Sequence, residues 1–302
     1  MQKENDFIKY DLDFLEKVFS YLNNYEKLEI AVDDTFKFSK QEKHNLQRIK
    51  ELYEKIILLR DYQIYELNSI SKEEALSKAN SFLVEIFPKK EKEILELDNI
   101  VTFDNINIYE SGLIYILNNN RISFNQILIP YHTSNYTSSI IVHEKMHALT
   151  FQNMDLECLF RNGLELLPIF LQRMMLYDFC DEYANILDRI IRINDTKQSF
   201  FHLDYAKYLR NKPNKTTLDE YVCDYYNISA NDYLIGDLYS SLLMEYYLLD
   251  KNEMIRKLNQ VLNQKLSITD FLTSYEVSLS NKKLVPVIKQ NINKCKRISI
   301  IP

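Results

Sequence analysis

The sequence is poor in glycine, lacks tryptophan, and carries no excess of positive charge. Only three glycines occur among 302 residues, at Gly112, Gly163 and Gly236, which argues against nucleotide folds whose glycine-rich loops cradle phosphates. The net charge of −6 provides no overall positive field, so we expect neither nucleic acid nor an anionic membrane as a partner. With 46% hydrophobic and 26% charged residues, the chain has the composition of a globular protein.

Disulfides, a signal peptide and membrane spans are also unexpected. The four cysteines, Cys158, Cys180, Cys223 and Cys295, are far apart and form no CxxC pair, so we expect reduced core thiols. The N-terminus is acidic where a signal peptide needs a basic start and an apolar run. No stretch approaches the ~18 apolar residues of a membrane span. The sequence therefore predicts a soluble, cytoplasmic protein.

The hydrophobic periodicity predicts an α+β fold that is predominantly helical. Residues 5–98 repeat apolar positions every three or four residues, as amphipathic helices do. Between 100 and 130 the period changes to two and turn residues separate three apolar runs, which predicts a small antiparallel sheet. Helical periodicity then returns and persists to about residue 279. We divide the chain into an N-terminal helical region, 1–98, and a second region, 99–302, which together are expected to form one continuous domain.

One motif in the second region indicates a specific chemistry. His143, Glu144 and His147 form an HExxH sequence within a predicted buried helix, 138–151. Four residues advance a helix by slightly more than one turn, so both imidazoles project from one face and can bind one Zn²⁺ ion. Glu144 then lies beside the open position of the metal, where a carboxylate acts as general base. The alternative is a pair of surface histidines on an ordinary helix.

A catalytic zinc ion needs a third protein ligand. The extended pattern HExxHxxGxxH is absent, because Thr150 and Asn153 replace its glycine and histidine. We predict Glu165 as the third ligand, since it lies in the first turn of the next helical segment, 18 positions after His147, where an antiparallel helix returns to the metal. Glu157 is the rival ligand. A carboxylate that only stabilises a helix N-terminus is the alternative role for Glu165.

Three segments resemble helical zinc peptidases: HEKMHAL (143–149), NGLELLP (162–168) and YLIGDLYSS (233–241). The chain is similar to a small relative of the thimet oligopeptidase and oligoendopeptidase F family, within the HExxH-plus-Glu group (gluzincins) that includes thermolysin. The resemblance implies a zincin-like catalytic core, one zinc ion per chain on His143, His147 and Glu165, and Glu144 as general base. It also implies hydrolysis of peptide bonds in peptide or polypeptide substrates.

The same resemblance places tyrosines that bind the tetrahedral intermediate on a late helix. A tyrosine hydroxyl suits the negative charge that develops on the carbonyl oxygen, because it is a neutral donor. We predict Tyr239 as this catalytic residue, one turn after Gly236, whose missing side chain would let a substrate backbone approach. The alternatives are Tyr233, Tyr246, Tyr247 and His202.

Two functions follow from the HExxH motif; a third possibility, a helical interaction protein that carries the motif by chance, would bind no stoichiometric zinc. The leading prediction is a zinc-dependent metallopeptidase. The alternative is a binding or regulatory protein on a zincin scaffold with weak or no catalytic activity. The presence of Glu144 favours the peptidase, since a protein without turnover has no need of a general base at this position.

Overall fold

The computed structural model describes residues 38–56, 69–106, 111–118, 121–154, 164–179 and 182–298. It confirms a predominantly helical α+β fold with a small sheet. The helices predicted within 5–37 and 57–68 lie outside the described residues, and so does the rival ligand Glu157.

The described α-helices are, in chain order, α1 (Lys40–Glu54), α2 (Lys72–Ile86), α3 (Glu91–Glu96), α4 (Asn135–Asn153), α5 (Leu166–Phe179), α6 (Glu182–Arg210), α7 (Thr217–Leu249), α8 (Lys251–Leu262), α9 (Ile268–Ser274) and α10 (Leu284–Ile298). Two 3₁₀ helices, Pro88–Lys90 and Leu97–Ile100, flank α3. Helical structure thus continues past Pro88, because proline is tolerated in a first helical turn, where no backbone donor is needed.

The sheet is mixed, which corrects the expectation of an antiparallel sheet. Its strands are β1 (Val101–Asp104), β2 (Gly112–Asn118) and β3 (Arg121–Pro130), in the order β1-β3-β2. β2 and β3 pair antiparallel, as predicted, but β1 pairs parallel with the end of β3, with Val101 opposite Ile127. The alternation of apolar residues predicts that strands form, whereas the direction of pairing depends on how the connecting chain crosses the sheet.

Helix α4 carries the HExxH motif through the interior of the molecule. It begins with a capping box, in which Ser134 accepts a hydrogen bond from Thr137 N–H at 3.3 Å and donates its own N–H to the Thr137 hydroxyl at 3.0 Å. The helix packs against α2, α5 and β3 and is buried over most of its length. The motif is therefore not on a surface helix, which removes that alternative.

Lys145, inside the motif, ties α4 to the N-terminal helices. Its side chain is fully buried, and its ammonium donates to Asn80 Oδ1 at 2.6 Å, to the Ile94 carbonyl at 3.0 Å, and to Asp98. These groups belong to α2, α3 and the 3₁₀ turn after α3. A buried lysine with three acceptors fixes the rotation of α4 about its axis, and with it the direction of the two histidines.

A hydrophobic core connects the two predicted regions. It includes buried side chains from Ile49 in α1 to Ile292 in α10. The division of the chain into 1–98 and 99–302 remains a prediction.

The thiol of Cys223 is free and buried, as predicted. It donates to the carbonyl of Ala206 at 3.2 Å. The side chains of the other three cysteines lie outside the described residues. Among the helices described above, every one is too short or too polar for a membrane-spanning segment.

Candidate metal centre

His143 and His147 are one turn apart on α4, and their rings approach each other through their Nε2 atoms. The two Nε2 atoms are 3.2 Å apart, and the side chains are only 10% and 12% exposed. An imidazole nitrogen without a proton carries a lone pair, so two such nitrogens at this distance are placed to bind the same cation.

Glu165 brings a carboxylate to the same point. It directly precedes α5, and its two oxygens lie 3.2 Å from His143 Nε2 and 3.5 Å from His147 Nε2. The next turns of α5 run antiparallel to α4, since Gln172 reaches the Tyr136 hydroxyl at 3.5 Å. The structure thus brings Glu165, the sequence-predicted ligand, into contact with both histidines.

The separations between these three donors suit a tetrahedral metal ion. Zinc bonds of about 2.0–2.1 Å at tetrahedral angles place ligand atoms roughly 3.3–3.4 Å apart. The observed separations are 3.2–3.5 Å. The buried Oε2 of Glu165 lies against His143 Nε2 at 3.2 Å. Two imidazoles and a carboxylate in this arrangement could hold a metal ion.

Glu144 lies at the edge of this group. It is 5% exposed, and its carboxylate lies within 4.8 Å of the ring nitrogens of His143 and His147. Burial raises the pKa of Glu144 above its ordinary value, against the opposing effect of the two histidines. Glu165 is in contact with both Nε2 atoms, whereas Glu144 lies beside them.

The charges of the group depend on one another. Burial favours a low pKa for His147, but the Glu165 carboxylate raises it to about 9. Burial also favours a high pKa for Glu165, yet the two histidines hold it well below its ordinary value. Without a metal, a proton on His147 balances the charge of Glu165; a metal cation would take the place of that proton.

Helix α7 packs directly against Glu165. A Cβ atom built on Gly236 would lie 2.9 Å from the Cβ of Glu165. Glu165 and Ile169 therefore occupy the space beside Gly236. This corrects the expectation that the space admits a substrate backbone. One turn earlier, Asp232 accepts a hydrogen bond from the Glu165 N–H at 3.3 Å. No sequence pattern links Asp232 to a residue 67 positions before it, so sequence reasoning missed it.

Tyr233, next to Asp232, is a tyrosine whose pKa responds to the carboxylates of the candidate metal centre. The carboxylate of Glu165, together with burial and Glu144, raises the pKa of Tyr233 well above its ordinary value. The residue is still 40% exposed. Tyr233 is thus partly exposed to solvent and lies in the electrostatic field of the buried carboxylates.

The structure does not bring Tyr239 to this group. Its hydroxyl lies against the backbone of Leu279, and burial, with a smaller contribution from Glu42, raises its pKa to about 12. Tyr233 and Tyr239 are six residues apart, which is about 9 Å along a helix. Tyr233, the rival in the sequence, adjoins Asp232, which bonds the Glu165 N–H, whereas Tyr239 lies farther along α7.

The remaining sequence candidates lie elsewhere. Tyr247 donates to Asp178 at 2.5 Å, and Asp178 is 13 residues after Glu165, about 20 Å farther along α5. The ring of Tyr246 packs 5.1 Å from that of Tyr275. His202 on α6 contacts Gln198 and Phe201. None of these contacts involves the candidate metal ligands.

Arg192 on α6 is a buried cation behind the candidate metal centre. It is 8% exposed and donates to Gln172 Oε1 at 2.6 Å, which joins it to α5 and through Tyr136 to α4. Its positive charge lowers the pKa of Glu144 against the effect of burial. Sequence reasoning missed Arg192, because an arginine in an amphipathic helix has the same local pattern whether it faces solvent or a buried carboxylate.

Comparison with known proteins places the chain in no established family. No family of known proteins and no curated protein matches the sequence. One solved structure with a related backbone is that of a "putative peptidase from Chlamydophila abortus", at 12% sequence identity and a TM-score of 0.46. The similarity covers 90% of this chain and 57% of the peptidase chain. This chain therefore spans little more than half the length of the peptidase chain. At this TM-score the likeness carries no conclusion about activity, which is therefore inferred from the geometry of the site.

Proposed function

We propose that this protein is a zinc-dependent metallopeptidase. The observation that carries the proposal is the convergence of His143, His147 and Glu165 at separations of 3.2–3.5 Å, with Glu144 at the edge of the group. Two histidines and a glutamate are a donor set of catalytic zinc that leaves a fourth position for water or substrate. A purely structural zinc site would close that position with a fourth protein ligand.

Each residue then has a role in amide hydrolysis. Zinc, when bound, supplies Lewis acidity that polarises a carbonyl group and lowers the pKa of water. Glu144 accepts the proton of the attacking water and returns it to the leaving amine. Tyr233 donates a hydrogen bond to the carbonyl oxygen as negative charge develops there. Arg192, which pairs with Asp188 and Asp195, supports through Gln172 the helix that carries both histidines.

A peptide substrate is compatible with the sheet next to α4. In the described residues, β2 pairs only with β3 and forms one edge of the sheet, and it also packs against α4. An extended peptide can bind such an edge through backbone hydrogen bonds that do not depend on its sequence. We propose peptides or polypeptides as the substrate class on this basis.

Two measurements on the purified protein test the proposal. We expect one zinc ion per chain by elemental analysis, and release of peptides from a defined peptide library. Glu144→Gln should keep the zinc and lower the rate of hydrolysis by roughly 10²–10⁴-fold, because the amide occupies the same space but cannot accept the proton. Glu96→Gln, an exposed change on α3, is the control and should cleave like the wild type.

The outcomes separate the possible functions. If Glu144→Gln cleaves at the wild-type rate, Glu144 is not the base and the mechanism is wrong. If zinc is bound stoichiometrically but no peptide is cleaved, the protein is the non-catalytic binding or regulatory protein considered above. Absence of stoichiometric zinc rejects both.

A further inference from the structure

We propose that α7 positions the third metal ligand, with Asp232 fixing the backbone of Glu165 and Gly236 setting how closely the two helices approach. This inference rests on the proposed zinc site. It assigns to α7 a role in metal binding although the helix contributes no ligand. Both residues are therefore positioning residues, acting through Glu165.

Asp232 supplies a hydrogen-bond acceptor at the start of α5 from another helix. Glu165 is already bonded to the first turn, since its carbonyl accepts the N–H of Ile169 at 3.0 Å. The N–H groups at a helix start have no partners within the helix and are usually satisfied by a nearby Ser, Thr, Asp or Asn side chain. Here the acceptor comes from α7, where Asp232 Oδ1 binds the Glu165 N–H at 3.3 Å. The ligand's own backbone is thus attached to a different helix.

Gly236 explains why α7 can reach Glu165. A Cβ on Gly236 would lie 2.9 Å from Glu165 Cβ, 3.1 Å from the Glu165 carbonyl carbon and 3.1 Å from Ile169 Cδ1. Glycine is disfavoured inside a helix, and its conformation here does not require one, because Gly236 lies in the interior of α7. The remaining reason for a glycine is close approach of another chain segment. By contrast, a Cβ on Gly112 would meet nothing within 4 Å.

The two contacts act together because of their spacing. Asp232 and Gly236 are four residues apart, so they lie on the same face of α7. One holds the backbone nitrogen of Glu165 and the other limits the position of its Cβ. These two points determine where the side chain begins and hence whether its oxygens stay 3.2 and 3.5 Å from the histidine Nε2 atoms.

Metal affinity tests this inference without reference to activity. We would titrate Zn²⁺ into the metal-free full chain against a chelator of known affinity, and record the visible absorption of Co²⁺ as a probe of coordination. Asp232→Ala and Gly236→Ala should each weaken zinc affinity by roughly 10–100-fold, as loss of outer-shell support does. Asp232→Asn keeps an oxygen acceptor and should stay within about threefold of the wild type, with an unchanged Co²⁺ spectrum.

Asn231→Ala is the matched control. Asn231 is buried on the same helix, next to Asp232, and its side chain binds Asn227 within α7. Its loss disturbs α7 but not Glu165, so zinc affinity should be unchanged. Circular dichroism and thermal unfolding of each metal-free variant establish that it is folded.

Each alternative result has a definite meaning. If the wild type binds zinc and both alanine variants bind it equally well, the inference is wrong and the proposed function is unaffected. If Asn231→Ala weakens binding as much as Asp232→Ala, the effect comes from the stability of α7, which also overturns the inference. Should Asp232→Ala fail to fold, Gly236→Ala decides alone. If the wild type itself binds no zinc, the proposed function has failed.

Discussion

Glu144 and Glu165 are both buried glutamates near the same two histidines, yet their surroundings give them different properties. Glu165 touches both Nε2 atoms, and the histidines hold its pKa well below the ordinary value despite burial. For Glu144 burial dominates and raises the pKa. A carboxylate that stays ionised suits a metal ligand, whereas one whose affinity for a proton is raised suits a base. Position relative to the imidazoles, rather than residue type, separates the two roles.

Tyr233→Phe tests which tyrosine serves hydrolysis. If the hydroxyl stabilises the developing negative charge only in the transition state, its loss should lower kcat by roughly 10²–10³-fold and leave KM nearly unchanged. Steady-state kinetics on a peptide cleaved by the wild type provide both values.

Tyr239→Phe is the internal control for that measurement, because it removes the same atom from the same helix. Its hydroxyl lies against Leu279, so its removal should leave kcat near the wild-type value. A large loss of kcat in Tyr239→Phe with none in Tyr233→Phe would reverse the assignment and restore the sequence-based prediction.

At the scale of elements, α4 is held in place by a polar contact as well as by its apolar neighbours. Lys145→Met should destabilise the metal-free protein by about 2–4 kcal/mol, because it leaves the buried Ile94 carbonyl without its donor and Asp98 without its cation. Partial exposure of Asp98 limits the loss. Denaturant unfolding of the metal-free protein measures it directly.

Lys92→Met provides the comparison on α3. Lys92 is 88% exposed and pairs with Glu96 at 3.6 Å, so its replacement should change stability by less than about 0.5 kcal/mol. Equal effects of the two substitutions would show that the buried contacts of Lys145 do not hold α4 in place.

At the scale of the whole molecule, the metal would join α4 and the start of α5, two elements of the core. Zinc that binds only the folded chain should stabilise it by about 2.7 kcal/mol at a free concentration 100 times the Kd. The midpoint temperature of thermal unfolding should therefore rise when zinc is added and fall to its original value when a chelator removes the zinc. Mg²⁺, which prefers oxygen ligands, should have little effect. A zinc shift that persists in Glu165→Ala would place the bound metal elsewhere.

Much of the local organisation is readable from the sequence, because it depends on neighbours along the chain. The periodicity of 3.6 and of 2 predicted the helices and the three strands, and the spacing of four placed both histidines on one helical face. The identity of Glu165 was within reach too, since a short connection returns the next helix antiparallel to α4. That its carboxylate meets both histidines, however, follows only from the distances of 3.2 and 3.5 Å.

Contacts between distant segments depend on tertiary structure, because no periodicity records which helices meet or in which register. β1 lies parallel in the sheet because it pairs with β3 rather than with β2, the next strand along the chain. The carboxylates of Glu165 and Glu144 raise the pKa of Tyr233, whereas burial raises that of Tyr239, since α7 meets Glu165 at Asp232 and Gly236. Arg192 became part of the site only because α6 packs against α5 through Gln172. Helix formation is a local property of the chain, whereas helix register follows from the shapes of two surfaces packed together.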